Sequence, residues 1–344
     1  MPIRPRGPVL PVAQVTRGRR FRPWVGCTVA LALTLTACGT QEGDAESSDP
    51  ITLYTCVSDE TIQPVIEAFE ESNPGTQVDL FRAPTGELNA RVAGDVRSGG
   101  LRADVIWGCD PLTVQDFVDQ GLVGEWVPPD AEGVPSEFRT DDYVGVAVLY
   151  MLVVHREGVP APRTWSDLTG PEYADALALP DPTMAASALG ALGYFAADPD
   201  YGVEFYGDLK ANGAVQVGTP DQVTTGVAQG VYDVGITIAN SAYAAESDGS
   251  PVDVVWPEPG AIAIYGPVAL ARHSADSEAA KQFIAFVVSE DGQSVLGRAG
   301  SYPTRPDAPS PTIPTGAPVV SPDWAAVGAG KDAVLSEYQQ LFGG

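Results

Sequence analysis

The chain has 344 residues, 45 acidic against 19 basic, for a formal net charge of −26, and 44% of it is apolar. That apolar content builds a core and excludes an intrinsically disordered chain. So negative a surface repels nucleic acid and anionic membrane and makes a large polyanionic substrate improbable.

The first 37 residues hold six arginines (Arg4, Arg6, Arg17, Arg19, Arg20 and Arg22) and no acidic residue. An apolar run from Val25 to Leu35 follows, too short for a comfortable membrane span, and small residues then lead to Cys38. This order describes a secretory signal over 1–37. Leu35-Thr-Ala-Cys38 resembles the lipobox of bacterial lipoproteins, which implies lipidation at Cys38. Residues 38–50 read as a polar tether.

Ile51 to Thr55 alternates and is β-branched, so it reads as a strand. Ile62, Val65, Ile66 and Phe69 then recur at helical spacing, with Ser58 placed to cap and Asp59 and Glu60 in the first turn. Gln77 to Arg82 is a second strand and Glu87 to Arg97 a second helix. Ala103 to Trp107 is a third strand, and Leu112 to Asp119 a third helix. Strand and helix in strict alternation predict a parallel sheet covered on both faces. In such sheets ligands bind at the loops that follow the strands.

Tyr143 to Val154 is almost wholly apolar and reads as one or two buried strands that carry the chain from one lobe into another. Helices are expected over Ser187–Ala197, Val203–Ala211, Asp221–Gln229 and Ser241–Glu246. Strands are expected over Gly213–Val217, Val231–Ile238 and Val252–Trp256, which together make a second α/β unit. Ala261 to Arg272 returns as a crossing strand, and Ser277 to Ser289 is an amphipathic helix. Gly328 and Gly330 are expected to break the chain before a last helix over Lys331–Phe342.

Four stretches, in this order, resemble the extracytoplasmic solute-binding proteins of bacterial ABC importers, and within them the ferric-ion-binding and 2-aminoethylphosphonate-binding group. They are Ile51-Thr-Leu-Tyr-Thr55 with its helix Pro64–Phe69; Ala103-Asp-Val-Ile-Trp107; Trp165-Ser-Asp-Leu168 with Leu179-Pro-Asp-Pro182; and Ala279–Phe283 with Ser289–Gln293 and Tyr302-Pro303. The resemblance implies an α/β, two-lobed, type II periplasmic-binding-protein fold with a ligand cleft between the lobes. The first lobe is expected over 51–145, the second over 146–262, a return to the first over 263–305, and a C-terminal extension with its helix over 306–344. It further implies a monomeric receptor, lipid-anchored outside the cytoplasm, that closes on a small solute and hands it to a membrane permease. It implies no catalysis and no cofactor.

Ferric-binding members hold iron with a His of the first loop, a Glu after the third strand and two adjacent Tyr of the second lobe. The matching positions here are Ser58, Cys109 beside Asp110, and Asn240 with Ser241; Tyr243 lies close by. The loops themselves offer Ser58, Asp59, Thr85, Gly86 and Asp110 from the first lobe. The second offers Thr183, Ser187, Thr219, Gln222, Asn240, Tyr243 and Glu258. Hydroxyls and helix starts suit a phosphonate, phosphate or carboxylate, and Asp59, Asp110 and Glu258 suit an ammonium, so the solute is either ferric iron or a small zwitterion or anion such as an aminophosphonate. Cys56 and Cys109 both follow strands. In an oxidising compartment they either bridge neighbouring loops or stay as two thiols. The rival reading is a secreted hydrolase working through paired carboxylates, since so acidic a chain supplies many chance pairs.

Overall fold

The structure is a computed structural model that describes residues 50–343. The proposed signal, the lipidation site Cys38 and nearly all of the tether lie outside the described residues. The chain opens with β1 (Ile51–Thr55), α1 (Asp59–Ser72), β2 (Val78–Arg82), α2 (Thr85–Arg97), β3 (Val105–Trp107) and α3 (Pro111–Asp119). β1 runs parallel to both β2 and β3. After a stretch of short 3-10 turns comes β4 (Tyr143–Arg156), one unbroken strand.

The second half holds β5 (Leu177–Pro180), α4 (Ala186–Ala197), α5 (Glu204–Ala211), β6 (Val215–Val217), α6 (Pro220–Ala228), β7 (Val234–Ile238), α7 (Ala239–Ser247) and β8 (Val252–Val255). β9 (Ala261–Leu270) returns, followed by α8 (Glu278–Val288), α9 (Glu290–Arg298), β10 (Tyr302–Pro303), β11 (Val319–Val320) and α10 (Trp324–Phe342).

The sheet order is β2-β1-β3-β9-β4-β7-β5-β6. β4 and β9 are the crossing strands. The first residues of β4 lie antiparallel to the far end of β9, whose own neighbour there is β3; the last residues of β4 pair with β7. Each half thus has a parallel sheet on one side of a shared antiparallel pair, which gives two lobes joined through two strands. The first lobe closes over Ile51, Leu53, Ile62, Val65 and Phe69 against Phe283, Ile284 and Val287 of α8. The second closes over Trp165, Leu179, Phe195, Phe205 and Tyr206.

α8 ends where the sequence suggests, and a separate helix, α9, follows at once, its start capped by the Ser289 hydroxyl accepting from the Gly292 N–H at 3.2 Å. One expectation is corrected. The last helix begins at Trp324, not Lys331. Asp323 caps it by accepting from the N–H groups of Ala325 and Ala326, both at 3.1 Å. Gly328 does not break it; α10 runs through both glycines, and a β-carbon at Gly328 would stand in ordinary contact with α3, 3.4 Å from Leu112 Cδ2.

Candidate functional site

A cavity of about 350 Å³ lies between the lobes, at the carboxyl ends of the first-lobe strands. Its first-lobe wall is Cys56–Ser58, Arg82, Pro84 and Thr85, and Trp107–Cys109. Facing it are Met184–Ser187, Thr219–Gln222, Ile238 and Asn240, with Leu296 and Ser301 from the returning segment. The floor is tight. The Gly108 N–H donates to the Pro267 carbonyl at 2.8 Å, and a β-carbon on Gly266 would meet Gly108 O at 2.7 Å. Cys56 and Cys109 are joined in a disulfide, Cα to Cα 6.0 Å, which ties the loop after β1 to the loop after β3 along the cavity wall.

Five helices begin at this cavity: α1, α2, α4, α6 and α7. Four of them lack a side-chain cap, at Ser58, Pro84, Ala185 and Ile238. By contrast α3, α8, α9 and α10, which start elsewhere, are capped by Asp110, Ser277, Ser289 and Asp323; among the α-helices of the described residues that start away from the cavity, only the short α5, after Val203, goes without. The first N–H groups of a helix have no partner within it and carry partial positive charge. An uncapped start facing a cavity therefore leaves donors for something else to satisfy.

Arg82, the last residue of β2, is the one cation among the described residues that line the cavity. Its Nε donates to the Val57 carbonyl at 3.2 Å, which fixes the guanidinium plane and leaves its terminal nitrogens free. It forms no ion pair among the described residues. Asp221 is the one carboxylate on the described lining, and lies on the second-lobe wall. Much of the remaining surface is apolar, with Trp107, Leu149, Ile238 and Met184 prominent.

Of the residues proposed from the sequence, Ser58, Thr85, Ser187, Thr219, Gln222 and Asn240 are brought together on this lining. The others lie elsewhere, each for a visible reason. Asp59 is exposed on the outer side of the first turn of α1. Gly86 spends its N–H on the Met184 carbonyl at 3.2 Å, a bond between the lobes. Thr183 turns its hydroxyl back onto Asp181 at 2.7 Å. Asp110 is fully buried and serves as the cap of α3, accepting from the Thr113 N–H at 2.8 Å. Burial pushes its carboxyl up to about 6, against the lowering effect of the Thr113 bonds. Tyr243 accepts from Trp256 Nε1 at 2.8 Å and faces a wider groove that continues outward from the cavity past Ser58, Thr61, Asp221 and Asn240. Glu258 is exposed, and its backbone N–H donates to the Arg163 carbonyl at 2.8 Å. Arg82 and Asp221 escape the sequence reading. Arg82 ends a strand, the position where ligand contacts gather in open α/β sheets, and that signal was available.

Two lobes joined by crossing strands around an interlobe cavity define a ligand-binding protein of the mixed α/β, type II periplasmic-binding fold. The chain belongs to the bacterial extracellular solute-binding protein family, whose model matches residues 51–301; this is a family of binding proteins, not enzymes. Among curated relatives, the spermidine/putrescine-binding periplasmic protein of Escherichia coli is 30% identical over 146 residues. That match spans 41% of this chain and 42% of the relative. Among solved structures, the periplasmic binding protein AfuA of Actinobacillus pleuropneumoniae, with fructose-6-phosphate bound, superposes with a TM-score of 0.75 at 18% identity, over 86% of this chain and 99% of that one. The substrate-binding protein of an ABC transporter from Agrobacterium tumefaciens gives 0.77 at 14% identity, over 87% and 95%. Iron-bound HitA of Pseudomonas aeruginosa gives 0.73 at 19%, over 85% and 99%.

Proposed function

We propose that this chain is the solute receptor of an ABC importer and that its solute is a small organic anion. The observation that carries this reading is the pairing of a pinned Arg82 with four uncapped helix starts on one cavity. A phosphonate, phosphate ester or carboxylate satisfies those donors and complements the helix dipoles. The apolar lining accommodates a carbon skeleton, so an organic anion fits better than a bare inorganic one. Asp221 offers a partner to an amine on the same molecule, which keeps an aminophosphonate among the candidates. A polyamine, the ligand in the name of the curated relatives, meets one lining carboxylate where it needs several. Ferric iron draws little support, because Asp110 and Tyr243 are engaged in a helix cap and with Trp256. A lipid on Cys38 would hold the receptor beside its permease, outside the cytoplasm.

The test is a thermal-shift panel on the chain from Gln41 onward, with 2-aminoethylphosphonate, a sugar phosphate, phosphate, ferric citrate, spermidine and thiamine. A ligand at ~100 times its dissociation constant adds about 2.7 kcal/mol to stability. Organic anions are expected to shift the transition. A shift with ferric citrate or spermidine and none with anions overturns the reading.

A further inference from the structure

We infer that α10 is a strap that limits how far the two lobes open. It lies beyond residue 301, where the family match ends, and it grips a helix of each lobe at once.

Its attachment to the second lobe is extensive. Tyr338 is buried, meets Tyr206 edge-on at 5.3 Å and donates its hydroxyl to Gln216 Oε1 at 2.9 Å. Lys210 sits over the Phe342 ring, 5.0 Å from its centroid. Val327 fills the space that α4 leaves at Gly193, where a β-carbon would lie 2.2 Å from Val327 Cγ1. The grip on the first lobe is narrower and falls on one face of α3. Lys331 forms an ion pair with Asp116. One turn back on α3, Leu112 joins Val327 and Leu189 of α4 in a small buried cluster. Val327 and Lys331 stand at i and i+4 on α10, and Leu112 and Asp116 stand at i and i+4 on α3. Each pair therefore shares one helical face, and the two faces meet.

A rigid helix fastened to one lobe and clipped to the other permits rotation about β4 and β9 only until the clip is stretched. The clip is weak, a half-exposed ion pair and a few apolar contacts, so it limits the amplitude of opening without preventing it. The groove past Asp221 and Asn240 opens on the α6 and α7 side of the cavity, away from the strap, and is the side left free to part.

The test needs no ligand. Dyes are attached to the full chain through azide-bearing residues replacing Gln63 on α1 and Gln229 after α6, both exposed, and the distribution of distances between them is recorded by single-molecule energy transfer. The double variant Leu112→Ala/Asp116→Asn and the single variant Lys331→Met each cut the clip from one side. Both are expected to raise the population at long distance, the double variant by about fivefold, which is ~1 kcal/mol. Tyr338→Phe, which touches the second-lobe attachment only, is expected to leave the distribution unchanged. Superimposable distributions for wild type and both clip variants overturn the inference, as does equal broadening by Tyr338→Phe.

Discussion

Gly86 offers the sharpest perturbation of closure. It stands second in α2, and its N–H reaches across to the Met184 carbonyl at 3.2 Å. A β-carbon there would meet Thr183 O at 2.6 Å and Met184 Sδ at 2.9 Å. The thioether can swing aside; the Thr183 carbonyl is backbone and cannot. Reaching ordinary contact at 3.4 Å requires the second lobe to retreat by about 0.8 Å at this point. That retreat breaks the bond between the lobes, which is worth roughly 0.5–1.5 kcal/mol, or about a 2- to 12-fold loss of affinity. Gly86→Ala is therefore expected to lose that much, and Gly86→Val more, since overpacking adds ~1–3 kcal/mol. Within α2, however, alanine is the better helix former by up to ~1 kcal/mol. The ligand-free melting temperature of Gly86→Ala is then unchanged or higher while its affinity falls. Calorimetric titration with the anion that gives the largest thermal shift, beside a melting curve without ligand, separates the two effects. Wild-type affinity in Gly86→Val would refute the reasoning, as would an affinity loss matched by loss of ligand-free stability.

Two further predictions concern stability. Asp110 titrates near 6 in the folded chain against 3.8 as a free side chain, so the folded state holds its proton more tightly than the unfolded one. Its contribution is fully favourable below about pH 4 and is lost as pH rises through 6, a change on the order of 1–3 kcal/mol. Asp110→Asn keeps a capping oxygen and removes the buried charge; it is expected to raise denaturant stability at pH 7 and to change it little at pH 4. The Cys56–Cys109 bridge closes a sequence separation of 53, for which loop-closure entropy gives about 4 kcal/mol as an upper figure. Reduction, or Cys56→Ser/Cys109→Ser, is expected to lower the denaturation midpoint accordingly, and to weaken anion binding too, because both cysteines stand on the cavity wall.

Much of the fold is legible in the chain because local and global signals agree. The stripe of Ile62, Val65, Ile66 and Phe69 marks α1, and the apolar run Tyr143–Val154 marks a crossing strand buried on both faces. Glycine misleads at 328 and 330: helix propensity says break, but α10 is held by packing on both sides of them, at Val327 and Tyr338, and tertiary contact prevails. The candidate site is legible only in part. Loops after strands locate Ser58 and Thr85, yet polar residue type does not say which way a side chain faces. Asp110, Thr183 and Tyr243 are as polar as the lining residues, but each is claimed by a nearby backbone or side-chain partner that sequence does not display. The uncapped helix starts carry the opposite lesson. Ala185 has no side chain able to cap, so the start of α4 faces the cavity without a side-chain cap.

The proposed function rests on Arg82 holding an organic anion in the interlobe cavity. It is tested most directly by titrating 2-aminoethylphosphonate and a sugar phosphate into wild type and Arg82→Gln. Saturable one-to-one binding of at least one of them is expected, weakened in the variant by roughly 10- to 150-fold, as loss of a charge-assisted hydrogen bond of ~1.5–3 kcal/mol requires. Anion binding that is indifferent to Arg82, or no anion binding beside tight binding of ferric iron or spermidine, would contradict it.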